Sequence, residues 1–418
     1  MWAALYTLVL TFAIPIAVAR LWWRGAREPG YRRRIGERFG RYRQAADGRP
    51  MLWLHAVSVG EARASAGLAR ALAARYPDHG LLLTCTTATG RATLKELHGE
   101  SATIAWLPYD TPGAVRRFLE HFRPRLALLM ETEIWPNLLA GCRAYGVPVM
   151  LANARMSENS ARGYRRYAPL LRPAFGSLAI ACAQSEADAV RLRSLGVREV
   201  EVTGNLKFDV AVDAAKQAAG RAWRVRLGRP VLLLASTREG EEAMLLGALR
   251  VTPGEAPPGL LTVVVPRHPR RFEEVAALAQ ARRSSGGEPR PDDRVYLGDT
   301  MGEMDFYYAA ADVAVIGGGF APLGGQNLIE ACAAGVPAVL GPSMFNFAEA
   351  TRLALEAGAA VQAADAAAAM REARALLSDA PLRAAMGEAG RALCAAHRGA
   401  TARHLERCAA LLRGPARG

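Results

Sequence analysis

The chain has few cysteines. Six occur in 418 residues, Cys85, Cys142, Cys182, Cys332, Cys394 and Cys408, and no two form a C-x-x-C pair. Most lie in apolar or Ala-rich surroundings, which argues against a disulfide or zinc framework and reads as reduced, buried small residues of a cytosolic compartment. Glu, Asp and His show no metal-ligand spacing. There is no G-K-[ST] phosphate loop and no clean G-x-G-x-x-G, which weakens ATPase and dehydrogenase readings. Repeats at solenoid periods are absent. Disorder is not indicated, since 51% of the residues are hydrophobic, enough for two domains with real cores. Acid is the scarcer charge. With 39 Asp and Glu against 53 Lys and Arg, the net charge of +14 implies an anionic partner: nucleic acid, an anionic membrane or a phosphorylated substrate.

Residues 2–19, WAALYTLVLTFAIPIAVA, carry no charge. As a helix they reach about 27 Å, just short of a bilayer core. Arg20, Arg24, Arg27, Arg32, Arg33, Arg34, Arg38, Arg41 and Arg43 follow. A signal peptide has the opposite order, with positive charge first and small residues at a cleavage site after the apolar stretch. The pattern predicts an uncleaved anchor, spanning the bilayer or lying in its interface, then a basic collar against anionic lipid. Everything after Arg20 is expected in the cytoplasm. The bland alternative is a buried core helix with a solvated basic face, and Pro15 weighs against a spanning helix.

From Pro50 onward apolar runs alternate with helical patterns, which predicts parallel sheets covered by helices. Strands are expected at 51–57, 80–85, 103–107, 126–130, 147–151, 177–181 and 199–203. A polar stretch, 205–228, reads as the connection to a second series at 230–235, 261–266, 294–297, 312–316 and 338–340. Residues 251–259 and 284–293 are Pro- and Gly-rich loop insertions. Residues 363–418 read as helical, ending in a frayed tail.

Several stretches place charge where strands end. In WLHAVSVGE (53–61) a strand gives way to a helix, and Glu61 lies in the helix's first turn. It either pairs with the helix dipole or does chemistry at a strand's C-terminal end, where open α/β sheets bind ligands. In METEIWPN (130–137) Glu131 and Glu133 follow a strand; in an extended segment both would point to one side. They are a substrate contact and its structural partner, or solvated loop groups. TGNLKFD (203–209) puts Lys207 at the seam between the two series, as a surface charge or as a partner for phosphate or carboxylate. In PRHPRRF (266–272) Pro266, Arg267 and His268 open a rigid basic turn that suits an anion, or a plain surface turn. The most informative stretch is IGGGFAPLGGQNLIEACAAGVPAVLGP (316–342). Gly317, Gly318 and Gly319 follow a strand. Gly324 and Gly325 precede a helix expected to start near Gln326 and to carry Glu330 one turn inside. Glycine amides and a helix N-terminus suit a nucleotide phosphate, and Glu330 suits ribose hydroxyls.

HAVSVGE, LPYD (107–110), METEIWPN, NARMS (153–157), TGNLKFD, PRHP and GGQNLIEA stand in the order and spacing of the bacterial 3-deoxy-D-manno-octulosonic acid (Kdo) transferases of lipopolysaccharide synthesis. The chain resembles that family over essentially its whole length, including the anchor followed by RGAREPGYRRRIGERFGRYR. The resemblance implies an α/β fold of GT-B type, two Rossmann-like doubly wound domains facing a cleft, with an N-terminal apolar anchor helix. The implied divisions are an anchor (1–20), a basic membrane-proximal segment (21–49), an acceptor domain (50–210), a donor domain (211–395) and a C-terminal helix and tail (396–418). The implied reaction is inverting transfer of Kdo from CMP-Kdo to a lipid A precursor (lipid IVA) at the cytoplasmic face of the bacterial inner membrane. No metal, no other cofactor and no nucleic acid is expected; the partners would be CMP-Kdo, the lipid A precursor and anionic inner-membrane lipid. Glu61 matches the general base, and Glu131 and Lys207 match positions that stabilise the transition state. Pro266, Arg267, His268, Gly317, Gly318, Gly319, Gly325, Gln326, Asn327, Leu328, Ile329 and Glu330 fall in the stretches that hold CMP. This chain departs from the pattern at Gln326, where many members have His and which carries no charge, and at Gly319, where a hydroxyl residue is common. Glu61, near a helix N-terminus, is expected to stay ionised. The alternatives are a UDP-sugar transferase acting on a lipid, a nucleotide-sugar 2-epimerase, or a non-enzymatic basic module, which leaves the glycine-flanked helix unexplained.

Overall fold

The structure, a computed structural model, describes residues 2–43, 48–209, 212–252 and 257–414. The expected boundary at 210/211, the middle of the 251–259 loop and the end of the tail lie outside those residues. Two compact units emerge, Met1–Asp209 with Arg398–Gly418, and Val210–His397.

The first unit holds a parallel sheet of β1 (Met51–His55), β2 (Gly80–Cys85), β3 (Thr103–Trp106), β4 (Pro124–Met130), β5 (Val149–Ala154), β6 (Ile180–Ala183) and β7 (Val200–Val202). Their order is β3-β2-β1-β4-β5-β6-β7. Runs such as GLLLTC and PRLALLM are almost wholly buried, because helices cover both faces and successive side chains enter opposite cores. Trp53 joins Phe118, Leu138 and Phe175 on one face. Leu52 and Leu54 join Leu68, Leu94 and Met130 on the other.

The second unit repeats the plan with β8 (Val231–Thr237), β9 (Leu261–Pro266), β10 (Ala281–Arg282), β11 (Val295–Leu297), β12 (Val313–Ile316), β13 (Ala338–Leu340) and β14 (Ala360–Gln362), in the order β10-β11-β9-β8-β12-β13-β14. The apolar pattern anticipates all of these except β10 and β14. They read Ala-Arg and Ala-Val-Gln, without the wholly apolar run of the equally short β11 and β13, and each is an edge strand paired to one of those two.

The 205–228 stretch is not a linker throughout. Ala214–Leu227 is a helix of the second unit, capped by the Asp213 carboxylate. Its Trp223 is buried beside Phe306, and Arg224 forks onto Asp312 at 3.0 and 3.2 Å. Polar composition hid it, because its apolar contact is one aromatic ring and small residues.

Two features place the sites. In each sheet the strand order reverses at one point, between β1 and β4 in the first and between β8 and β12 in the second. Such switch points leave a crevice beyond the strands' C-terminal ends. At the N-terminus, Trp2–Arg27 forms a helix of 26 residues, longer than the uncharged stretch because Arg20–Arg27 continue it. By length and composition it is able to cross a membrane.

Candidate active site

The first switch point gathers an acidic cluster. The loop after β1 leads into the helix Val59–Arg75, whose N-cap is Ser58. The Ser58 hydroxyl accepts from the Glu61 amide at 3.3 Å and donates to the Glu61 carboxylate at 3.1 Å. The Val57 amide donates to the other carboxylate oxygen at 2.8 Å. Glu61 therefore ties the first turn of its helix back to the cap and to the residue before it, a structural role at the helix start. It is also electrostatically unusual. Burial lifts its pKa to about 7 against the Val57 and Ser58 hydrogen bonds, with the negative charges of Glu131 and Glu133 adding to the rise. The expectation of a carboxylate held firmly ionised by the helix N-terminus is thus overturned. Desolvation and like charge exceed the dipole.

Glu131 and Glu133 come from the end of β4, across the switch point. The segment that carries them is not extended, yet both carboxylates act on Glu61. Glu131 has φ 56°, a left-handed turn that ends the strand, and its amide still donates to Ala152 at 2.9 Å. Burial raises the pKa of Glu133, whose carboxylate accepts from the Trp135 indole at 2.8 Å. His55, at the end of β1, lies 3.9 Å from Glu133. Complete burial pushes its pKa down to about 4 and keeps it neutral. The sequence reading missed His55, although HAVSVGE contains it.

Lys207 lies in a short 3₁₀ turn, Leu206–Phe208, packed against the Glu61 helix. A buried amide network holds that turn. The Asn205 side chain accepts from the Lys207 amide at 3.0 Å, and Asn153 accepts from the Leu206 amide at 2.9 Å. Gln184 bridges Asn153 and Asn205. The NARMS and TGNLKFD stretches thus meet in space.

The second switch point carries the basic and glycine-rich stretches. Pro266 ends β9 opposite Thr237 of β8. His268 is held below its usual pKa by burial and by the cations Arg238, Arg270 and Arg267, an environment suited to an anion. Arg267 acts electrostatically on Glu330, whose pKa burial raises. Asn327 donates to Glu330 at 3.0 Å.

The glycine loop differs from the expected amide cradle. The amides of Gly318, Phe320 and Ala321 donate to the carboxylate of Glu241 at 2.6, 3.0 and 3.3 Å, joined by the Arg238 amide at 2.9 Å. Gly317 donates to Ala235 and Gly325 to Gly318, each at 2.8 Å. These amides are committed inside the protein rather than aimed at a phosphate. The glycines instead permit packing: a Cβ on Gly317 would stand 2.6 Å from the Thr237 Cα, and Gly318 has φ 73°. The Gln326 side chain rests on Gly318. The helix starts at Ile329, not near Gln326, and has six residues. The Asn327 side chain accepts from the Ile329 amide at 3.2 Å and holds the preceding residues out of it. Leu328 and Ile329 are buried, and the Ile329 amide is already taken by Asn327, so both serve packing. Glu241, itself fully buried, had no signal in the sequence, where REGEE reads as a polar helix start.

Residues 33–210 match the family described as 3-deoxy-D-manno-octulosonic-acid transferase (kdotransferase), and residues 291–393 match glycosyl transferases group 1. MurG of Acinetobacter baumannii shares the fold with a TM-score of 0.56 at 13% identity, covering 86% of this chain and 99% of that one. The UDP-GlcNAc 2-epimerase of Neisseria meningitidis does so at 0.51 and 15%, covering 86% and 100%. Two parallel-sheet α/β units of this kind, each with a switch point, are of the GT-B class of fold that these structures share. The 3-deoxy-D-manno-octulosonic acid transferase of Bordetella pertussis is 50% identical over 96% of this chain and 97% of its own length. That of Haemophilus influenzae is 33% identical over 97% and 98%. The chain belongs to the Kdo transferase family.

Proposed function

We propose that this Kdo transferase takes Kdo from CMP-Kdo and adds it to a hydroxyl of a lipid A precursor at the cytoplasmic face of the inner membrane. The observation that carries the reading is the Glu61 carboxylate at the first switch point, its pKa raised to about 7 beside two further glutamates. A base needs that balance, ionised often enough to accept a proton and basic enough to hold one. In the reaction Glu61 takes the proton of the acceptor hydroxyl. The acceptor oxygen bonds to the anomeric carbon as the bond from that carbon to the CMP phosphate oxygen breaks. Inversion follows, and CMP leaves with the electron pair. Glu131 and Lys207 hold positions from which to stabilise charge at the sugar. Arg267, His268 and the loops 317–319 and 325–330 hold CMP, with Arg238 and Arg270 adding positive charge for the leaving phosphate. The role of metal is assigned to these cations.

The test is a transfer assay in detergent with CMP-Kdo generated in situ and tetraacylated lipid A precursor, read by product mass. Wild type should add at least one Kdo, unaffected by EDTA, and folded Glu61→Ala and Glu61→Gln should not. Transfer surviving in both variants would move the base to Glu131. Absence of transfer by folded wild type would direct the search to UDP-sugar donors.

A further inference from the structure

The N-terminal helix belongs to the first unit along its length. Near its start, the Tyr6 hydroxyl donates to Asp110 at 2.9 Å, and the Asn137 side chain donates to the Thr7 hydroxyl at 3.1 Å. Asp110 is buried and also accepts the amides of Asn137 and Leu138 at 3.1 and 2.7 Å. The helix then runs against Ala168–Phe175. At its far end the Arg24 guanidinium sits 4.5 Å over the Tyr31 ring. Tyr31 is buried and stacks on Trp106. Both ends are therefore tied to one folded unit.

Exposure along the helix follows its turn. Tyr6, Leu10, Ala13, Ala17, Leu21 and Arg24 are half-buried, at spacings of three and four residues that mark one face. Leu5, Val9, Phe12, Ile16 and Trp23 lie on another face, with Phe12, Ile16 and Trp23 each over 70% exposed (73%, 72% and 72%). A helix apolar on every side that stands against protein on one face needs an apolar partner on the other. Exposed Arg20, Arg33, Arg34, Arg41 and Arg43 lie on or just after it, and they select a negatively charged one.

We propose that Trp2–Arg27 does not span a bilayer but lies flat on an anionic one, with the Leu5–Val9–Phe12–Ile16–Trp23 stripe in the boundary between headgroups and acyl chains. A spanning helix with Arg20 at the cytoplasmic surface would carry Tyr6 about 21 Å along the axis into the membrane. Asp110 and Asn137 would then have to enter the hydrocarbon or lose their partners. The flat helix keeps every tether and fixes the first unit's orientation against the lipid. The proposal rests on the first unit alone and is independent of which sugar is transferred.

The experiment uses full-length protein on vesicles of phosphatidylcholine with about 30% phosphatidylglycerol, with single cysteines at Leu5, Phe12 and Trp23 carrying an environment-sensitive fluorophore. The six native cysteines are buried, so labelling is confined to the new ones. Brominated lipids report depth. The flat helix predicts the same shallow depth at all three positions, about 5–10 Å below the headgroups. It also predicts that the double variant Phe12→Glu/Ile16→Glu lowers vesicle partitioning about tenfold or more with an unchanged circular dichroism spectrum. Trp2→Cys, in inner-membrane preparations, should react with an impermeant maleimide from the cytoplasmic side only. Phe12 at the bilayer centre, or reaction of Trp2→Cys from the periplasmic side, would establish spanning and overturn the proposal, as would failure of wild type to bind the vesicles.

Discussion

The Glu61 carboxylate is stabilised by two local hydrogen bonds and opposed by burial and by Glu131 and Glu133, and the opposition prevails. Two consequences are measurable. The acid limb of kcat/KM should fall near pH 7 as Glu61 protonates. Glu131→Gln should move that limb to lower pH, because it removes a charge that raises the pKa. The stability effect has the matching sign. The folded carboxyl binds its proton more tightly than the unfolded one, so its contribution is present below pH 4.5 and is lost as pH rises through about 7. At about pH 8 the ionised group is a burden. Discounted for its partial exposure, Glu61→Gln should gain about 1 kcal/mol in urea denaturation while losing about 100-fold or more in turnover.

At the scale of elements, the loop after β12 is organised by a carboxylate from the helix after β8. Glu241 satisfies four amides at once. Glu241→Ala strands four donors, the Gly318 amide buried and the other three half-buried; at about 1 kcal/mol each, the low end for an unpaired donor, the variant should lose about 4 kcal/mol. The conservative Glu241→Gln sets an amide N–H against those donors and should fold with a loosened loop. Hydrogen exchange should speed at residues 318–321, and CMP affinity by calorimetry should fall at least about tenfold. Unchanged exchange and affinity in Glu241→Gln would mean that the loop holds itself. The loop's glycines were visible in the sequence and its partner was not. A glycine cluster marks itself locally, whereas Glu241 and Gly318 are brought together only by strand order across the switch point.

At the scale of the whole molecule, the chain returns to its first unit to finish. Ala400–Arg413 packs there, with Asp209 accepting the amides of Gly399 and Thr401. The Asn153 amide donates to His404 Nε2 at 2.9 Å, and His404 Nδ1 lies 2.7 Å from the Ala400 carbonyl. These partners fix a neutral ring protonated on Nδ1, and burial holds the pKa down near 4. The unfolded imidazole, with its ordinary value of 6.5, takes up a proton where the folded one does not. His404 therefore stabilises fully above pH 6.5, and up to about 3 kcal/mol is lost as pH falls to about 4. His404→Gln should be less stable than wild type at about pH 7.5 and show a shallower decline towards about pH 5. Truncation after His397 should speed hydrogen exchange in β4 and β5 and leave β8 and β12 unchanged.

The sequence by itself determined the two α/β series, most strands to within a few residues, the apolar N-terminal helix and the ordered motifs that mark the family. Those signals are local: a buried parallel strand needs a continuous apolar run, and a charge-free segment shows itself without a partner. Only the tertiary structure decided that Glu61 comes within electrostatic reach of Glu131 and Glu133, that its pKa rises rather than stays low, and that the Gly318 amide and its neighbours at 320 and 321 are spent on Glu241. It also decided that both ends of the apolar helix hold to one unit. Each depends on which strands are neighbours and on how far water is excluded, and desolvation and like-charge repulsion have no trace in the spacing of residues along a chain.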